Sequence, residues 1–175
     1  MSRRIASTSP QELLATESQI RTRLEGQPFD FDAMSAVSNV YRAGTAVRTH
    51  MERTILAEHE LSWVAFTVLW VLWIWGKQET GHVAEEAGIT KGTLTGVIKT
   101  LTGQQLIRRT THADDRRRAS IDLTAKGTKL ITKLFPMFNQ HESLVVSALT
   151  LAEQRELARL LRKVTNHLSN DAITA

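Results

Sequence analysis

The spacing of apolar positions is most informative between Leu61 and Gly127. Val83 and Ala87 lie four apart, with Glu85 and Glu86 turned outward, so the pattern predicts a short amphipathic helix there. Gly88 ends it, as a residue that tolerates a left-handed backbone does just past a helix. Ile89 plugs the turn, Thr90 offers an N-capping oxygen, and Leu94, Val97, Ile98 and Leu101 form a second apolar stripe. Ala84, four residues before Gly88, is small enough for the two helices to cross closely. Small residue, glycine turn, plug and second amphipathic helix together spell a helix-turn-helix. An ordinary helical hairpin within a bundle is the alternative.

The next stretch of chain favours the helix-turn-helix. Leu106–His112 and Ala119–Leu123 are short β-compatible runs, and in the second Ile121 and Leu123 alternate with Ser120 and Asp122. The polar tip between them holds Asp114, Asp115, Arg116, Arg117 and Arg118. A hairpin with an arginine-loaded tip directly after a helix-turn-helix is a winged helix. The second helix is then placed for a DNA major groove and the tip for the neighbouring minor groove, whose negative potential favours inserted arginine. With Leu94, Val97, Ile98 and Leu101 turned inward, the outward face of that helix holds Lys91, Gly92, Thr95, Gly96 and Lys99, with Thr90 and Thr93 at its start. Lysine suits phosphate or guanine, and threonine suits a hydroxyl contact or a thymine methyl. No Arg, Asn or Gln stands at the front of the helix for a bidentate base contact, so phosphate contacts and groove shape should carry much of the affinity.

The flanks are helical. Ser9-Pro10-Gln11-Glu12 is a capping box with proline at the first helical position, opening a helix to about Glu25 that Gly26 and Pro28 end. Phe31, Met34, Val37, Tyr41, Val47, Met51 and Ile55 recur at helical intervals and predict a long helix to about Leu56. Partners for that stripe are expected from the far end of the chain. Leu130, Leu134, Phe138, Val145 and Leu149 mark a second long helix, which Pro136 should kink or break. Thr150-Leu151-Ala152-Glu153 is another capping box, opening a helix with a near-heptad stripe of Leu157, Leu160, Leu161, Val164 and Leu168. Between these, Ser62 caps a helix over Trp63–Trp75 that carries Trp63, Phe66, Trp70 and Trp73 on one face. Such a stripe is core or the wall of a pocket.

The expected architecture is mainly α with a small β-hairpin wing: a winged helix-turn-helix between N- and C-terminal dimerisation helices. Its divisions are an N-terminal extension (1–28), a dimerisation helix (29–58), a DNA-binding region (59–123) and C-terminal dimerisation helices (124–175). The 175 residues include 22 Lys and Arg against 18 Asp and Glu, a formal charge of +4. That balance is weak evidence alone, but Arg108, Arg109 and Arg116–Arg118 cluster on the expected wing. The absence of cysteine excludes a thiol switch and cysteine-ligated metal, and fits a cytoplasmic protein. The start lacks the apolar run of a secretory signal, and Trp63–Trp75 is too short to span a bilayer, which needs about 20 residues. No phosphate loop, nucleophile elbow or metalloprotease helix is present, so no enzyme activity and no cofactor are expected.

In order and spacing, Leu61-Ser62, AEEAGITKGTLTGVIKTL, LIRR and DDRRRASIDLTAKG resemble the MarR-type (multiple antibiotic resistance) transcription regulators. Asp115, Arg117, Leu123, Thr124 and Gly127 fall on that family's wing signature. The resemblance implies that Arg117 enters the minor groove braced by Asp115. It also implies a homodimer on a pseudo-palindromic operator of double-stranded DNA. Between the dimerisation helices and the winged helix, it implies a cleft for a small aromatic or hydrophobic ligand, where Trp63, Phe66, Trp70 and Trp73 would form a wall and Tyr41, Arg48 and His50 could join. Some relatives hold zinc through histidines and acids, whereas the six histidines here are scattered and no metal site is expected. One departure is Gln105, where the family usually has glycine before the first wing strand. A repressor released by its ligand is the expectation. A winged helix that binds proteins, or a DNA binder that senses nothing, are the rivals.

Overall fold

The computed structural model describes residues 10–111 and 119–169. Chain order is α1 (Pro10–Arg23), α2 (Phe31–Met51), α3 (Trp63–Trp75), β1 (Gln78–Glu79), α4 (Thr80–Glu86), α5 (Lys91–Gly103), β2 (Ile107–Thr111), β3 (Ala119–Leu123), α6 (Ala125–Val145) and α7 (Leu151–Ser169). Helices dominate around one small sheet, as the hydrophobic pattern predicts.

Helix α2 starts where Asp30 accepts a hydrogen bond from the Ala33 amide at 2.9 Å. Past Met51 it continues through a π turn (Glu52–Leu56) and a 3-10 turn (Ala57–His59), so it outruns the predicted end at Leu56. Glu60 closes it in the left-handed region, at φ 53°. Leu61 N–H donates to Leu56 O and Glu60 N–H to Ala57 O, the paired bonds of a Schellman end.

Helix α3 lies at the centre. Ser62 caps it, accepting from Ala65 N–H at 3.1 Å, and Val68, Leu69, Val71 and Leu72 are essentially inaccessible. A helix apolar on nearly every side must be covered from several directions, and α4, α5, α6 and β3 all pack on it. Its apolarity is that of a core element. Among the described residues no single helix is long and apolar enough to cross a membrane.

The sheet is antiparallel in the order β1-β3-β2, with Arg108 opposite Asp122 and Gln78 opposite Ile121. Strand β1, two residues without periodicity, is not visible in the sequence pattern. Because it flanks β3 on the side away from β2, β3 is central, and Ser120 is buried where simple alternation would expose it.

Of the kink or break expected at Pro136, the break does not occur: helix α6 continues through it. The residue four before Pro136 is Thr132, and both are exposed, so the carbonyl left without its amide partner faces water. The buried stripe of α6 is Gly127, Ile131, Leu134 and Phe138, while Val145, expected in it, is exposed. The far end of the chain does not cover the first half of α2 either. Val37 and Tyr41 remain 70% and 75% exposed, and α7 has no buried residue although Leu157, Leu160, Leu161, Val164 and Leu168 share one flank of it. Apolar stripes at both ends of the chain are therefore left open within one protomer.

Candidate nucleic-acid interface

The turn between α4 and α5 is built as the glycine and alanine spacing requires. Gly88 sits at φ 62°, its N–H donating to Glu85 O, and Ile89 N–H donates to Ala84 O at 2.9 Å. This Schellman pair lets Ala84, 4% exposed, pack inward while Ile89 folds against the core. Thr90 then caps α5, accepting from Thr93 N–H at 3.1 Å. Its hydroxyl also meets that of Thr93 at 2.9 Å. Leu94 and Leu101 are buried and Val97 and Ile98 half-buried, so Lys91, Gly92, Thr95, Gly96 and Lys99 share the open face.

That face borders a cleft of about 630 Å³ between α5, the start of α4 and the sheet. Lys91, Thr95, Lys99 and Thr102 line one wall at helical spacing, and Arg109 of β2 lines the other. Glu79 also borders it, so the lining carries three cations against one carboxylate. The Thr95 hydroxyl donates to Lys91 O at 2.9 Å, and the side chain stays exposed. A Cβ added at Gly96 would meet nothing within 4 Å, so the backbone there is open to close approach by a ligand.

The two adjacent arginines of β2 have opposite fates. Arg108 is ion-paired with Asp122 across the sheet, whereas Arg109 faces the cleft beside the two lysines. Position in the sequence groups them together; strand alternation is the signal that separates them and adds Arg109 to the site. Asp115, Arg116, Arg117 and Arg118 lie outside the described residues.

The far end of α5 is fastened to α6. Gln105 takes φ 61°, with Gln105 N–H donating to Thr102 O and Leu106 N–H to Leu101 O, another Schellman end. The departure from glycine at this position therefore places a side chain in left-handed backbone at the helix end. The freed carbonyls are taken up one by one. Lys126 Nζ donates to Gln104 O at 2.8 Å, Thr124 Oγ1 to Gln105 O at 2.6 Å, and Thr124 N–H to Leu106 O at 3.0 Å. Thr124 Oγ1 in turn accepts from Gly127 N–H at 3.0 Å, capping α6. A Cβ on Gly127 would stand 2.0 Å from Leu106 O, so only glycine fits. The Thr and Gly of the wing signature thus hold the recognition helix and the wing root against α6.

The residues expected around a ligand cleft are dispersed. Phe66 stacks on Phe138 with centroids 4.0 Å apart, and Trp63 and Trp73 tilt against Phe138 and Phe135 of α6. Trp70 instead meets Trp75 edge-on. Arg48 reaches Glu52 at 4.0 Å, and Glu52 accepts from the Trp63 amide at 2.9 Å, so those three share one junction. His50 contacts His141 of α6 at 3.2 Å, and Tyr41 points into solvent.

A helix-turn-helix whose second helix presents lysines and threonines beside a basic strand, above a three-stranded sheet, defines a winged helix of the DNA-binding kind. The MarR family model matches residues 61–119. The chain is 35% identical over 161 residues to the uncharacterized HTH-type transcriptional regulator YwaE of Bacillus subtilis, covering 90% of this chain and 94% of that one. Among solved structures it is similar to BpsR of Bordetella bronchiseptica, described for regulation of its DNA binding by 6-hydroxynicotinic acid. That match has TM-score 0.70 and 26% identity, and covers 74% of this chain and 98% of the other. The fold is also that of a mutant MarR from E. coli complexed with operator DNA, at TM-score 0.69 and 17% identity over 76% of this chain and 95% of that one. The chain belongs to the MarR family and is a DNA-binding transcriptional regulator.

Proposed function

We propose that the protein acts as a homodimer that represses transcription from a pseudo-palindromic operator and is released by a small aromatic or hydrophobic ligand. The observation that carries the DNA-binding mode is the alignment of Lys91, Thr95 and Lys99 along the open side of α5, opposite Arg109. In this reading α5 enters the major groove. Thr90, Thr93 and Thr95 face base edges or sugar, Lys91, Lys99 and Arg109 hold phosphates, and Gly92 and Gly96 let the helix backbone approach closely. Arg116–Arg118 reach the minor groove, with Asp115 bracing Arg117.

Dimerisation is supported by the open apolar stripes of α2 and α7, which one chain leaves to solvent. Residues 29–58 and 124–175 then form the dimer region, 59–123 the DNA-binding region and 1–28 an extension. Two copies would present their recognition helices to half-sites about one helical turn apart. The ligand cleft would lie near the Arg48–Glu52–Trp63 junction, where Glu52 pairs with Arg48 and accepts from the Trp63 amide at the boundary of α2 and α3. A ligand there releases DNA only through unequal affinity for two spacings of the recognition helices.

The test is selection of bound fragments from the source genome, followed by footprinting. Protection of an inverted repeat, lifted on addition of an aromatic acid, is the expected result. Protection of a single half-site would contradict the dimer, and protection indifferent to every acid tried would leave a regulator without this sensing mode. A winged helix that serves protein contacts would select no fragment.

A further inference from the structure

We infer that the chain carries a second small-molecule site, between the N-terminal helix α1 and the long helix α2, shaped for a compact organic carboxylate. A cavity of about 200 Å³ lies between the two helices. None of the residues assigned to the cleft or the DNA surface lines it. Its floor is a face of α2 on which Ser35, Ser38 and Arg42 follow Phe31 at helical spacing, and its roof is Glu17, Ser18, Ile20 and Arg21 of α1.

The interface is assembled unlike a packing contact. Where α1 meets α2, two serines stand at inward positions that leucine or alanine would otherwise fill. The helices are held at the rim instead. Arg21 bonds Asp32 at 2.9 Å, and Asn39 Nδ2 donates to Glu17 Oε1 at 2.8 Å. Those bonds keep α1 in place without closing the space beneath it.

The polar groups in the cavity are not satisfied by one another. Arg42 Nη1 is shielded from solvent and has no hydrogen-bond partner among the described residues. The nearest carboxylate oxygen, Glu17 Oε1, is 3.7 Å away, within ion-pair reach but beyond hydrogen-bond length, and already accepts from Asn39. A shielded guanidinium N–H wants an anionic oxygen, and Arg presents its donors in a fork that matches a carboxylate. Serine hydroxyls on the same floor can donate to the remaining lone pairs. Phe31, Ile20 and Met34 supply apolar surface for the body of the molecule. Arg21 is committed to Asp32, so the group in the cavity left to meet an anion is Arg42, whose Nη1 lacks a hydrogen bond. Size follows from volume: an apolar cavity of about 150 Å³ takes benzene, so this one accommodates one ring with a carboxylate, or an aliphatic acid of similar bulk.

The experiment is calorimetric titration of the full chain with sodium benzoate, with benzamide as the uncharged comparison. Benzoate should bind, benzamide at least tenfold more weakly. Arg42→Gln should weaken benzoate at least tenfold, and Ser38→Leu, which fills the floor, should abolish binding here. Arg48→Ala should leave this site intact. If benzoate binds at both places, Ser38→Leu removes one site per chain and Arg48→Ala the other. Benzoate affinity unchanged in Arg42→Gln would overturn the inference even if Ser38→Leu misfolds. So would loss of all binding in Arg48→Ala, which would leave the cleft reading standing. Absence of any heat up to about 10 mM benzoate would also overturn it, because a preformed site for this chemistry should bind more tightly than that.

Discussion

Replacing Gly127 by alanine should uncouple the recognition helix from the rest of the protein. The added Cβ would stand 2.0 Å from Leu106 O, 3.0 Å from Leu106 C and 3.3 Å from Leu106 Cα. All three atoms are backbone, so no rotamer change relieves the overlap, and α6 must retreat from the wing root by about 1.5 Å to reach ordinary contact. That shift breaks the bonds from Thr124 Oγ1 to Gln105 O and from Thr124 N–H to Leu106 O, and strains the Lys126 bond to Gln104 O. At roughly 0.5–1.5 kcal/mol for each intramolecular hydrogen bond, the loss is about 2–4 kcal/mol. Equilibrium urea unfolding at fixed protein concentration measures it, since dimerisation would make the midpoint concentration-dependent. A destabilisation below about 0.5 kcal/mol would refute the claim that this contact is a staple, because surface changes alone stay within that range.

Gln105→Gly should stabilise the fold by about 0.5–1 kcal/mol, the left-handed penalty less the extra unfolded-state entropy of glycine, read by the same urea titration. Gly96→Ala should raise stability by roughly 0.5–1 kcal/mol, because its Cβ has open space, yet weaken DNA binding measured by fluorescence anisotropy. Equal DNA affinity would show that the α5 backbone does not approach the duplex there. The Thr150 hydroxyl, and after it the Thr150 amide, hold the Glu153 carboxyl below its ordinary value of 4.5. A carboxyl lowered on folding stabilises above its unfolded pKa and loses that contribution as pH falls through the folded one. Parent protein and Glu153→Gln should therefore differ in stability at neutral pH and converge as pH falls below 4.5 and on through the lowered folded value, followed by circular dichroism.

Much of this interface is legible in the sequence because its determinants are local. Gly88, Thr90 and the stripe from Leu94 to Leu101 act within a few residues of one another, and each sits where periodicity puts it. The cap at Ser62 and the capping box at Thr150 and Glu153 are likewise short-range. The features that escape such a reading depend on distant partners. Strand β1 exists only because β3 offers an edge, and the ion pair that occupies Arg108 needs Asp122 across the sheet. Pro136 leaves α6 intact because of which side of the helix faces water, which a proline in a string of letters does not reveal. Periodicity alone makes the stripes of α2 and α7 look like partners for each other, yet one chain leaves both exposed. The void under α1 arises from serines that look like ordinary polar positions until α1 is laid across them.

The central claim is that the open face of α5 and Arg109 hold DNA while Arg108 serves the sheet. Its most direct measurement is the slope of log affinity against log salt, for parent protein and for Lys99→Ala, Arg109→Ala and Arg108→Ala, on a selected fragment. Each lost phosphate contact should reduce the slope by about 1 per chain in Lys99→Ala and Arg109→Ala, with Arg108→Ala matching the parent. A parent slope near zero, or equal slopes for the Arg108 and Arg109 variants, would contradict the account.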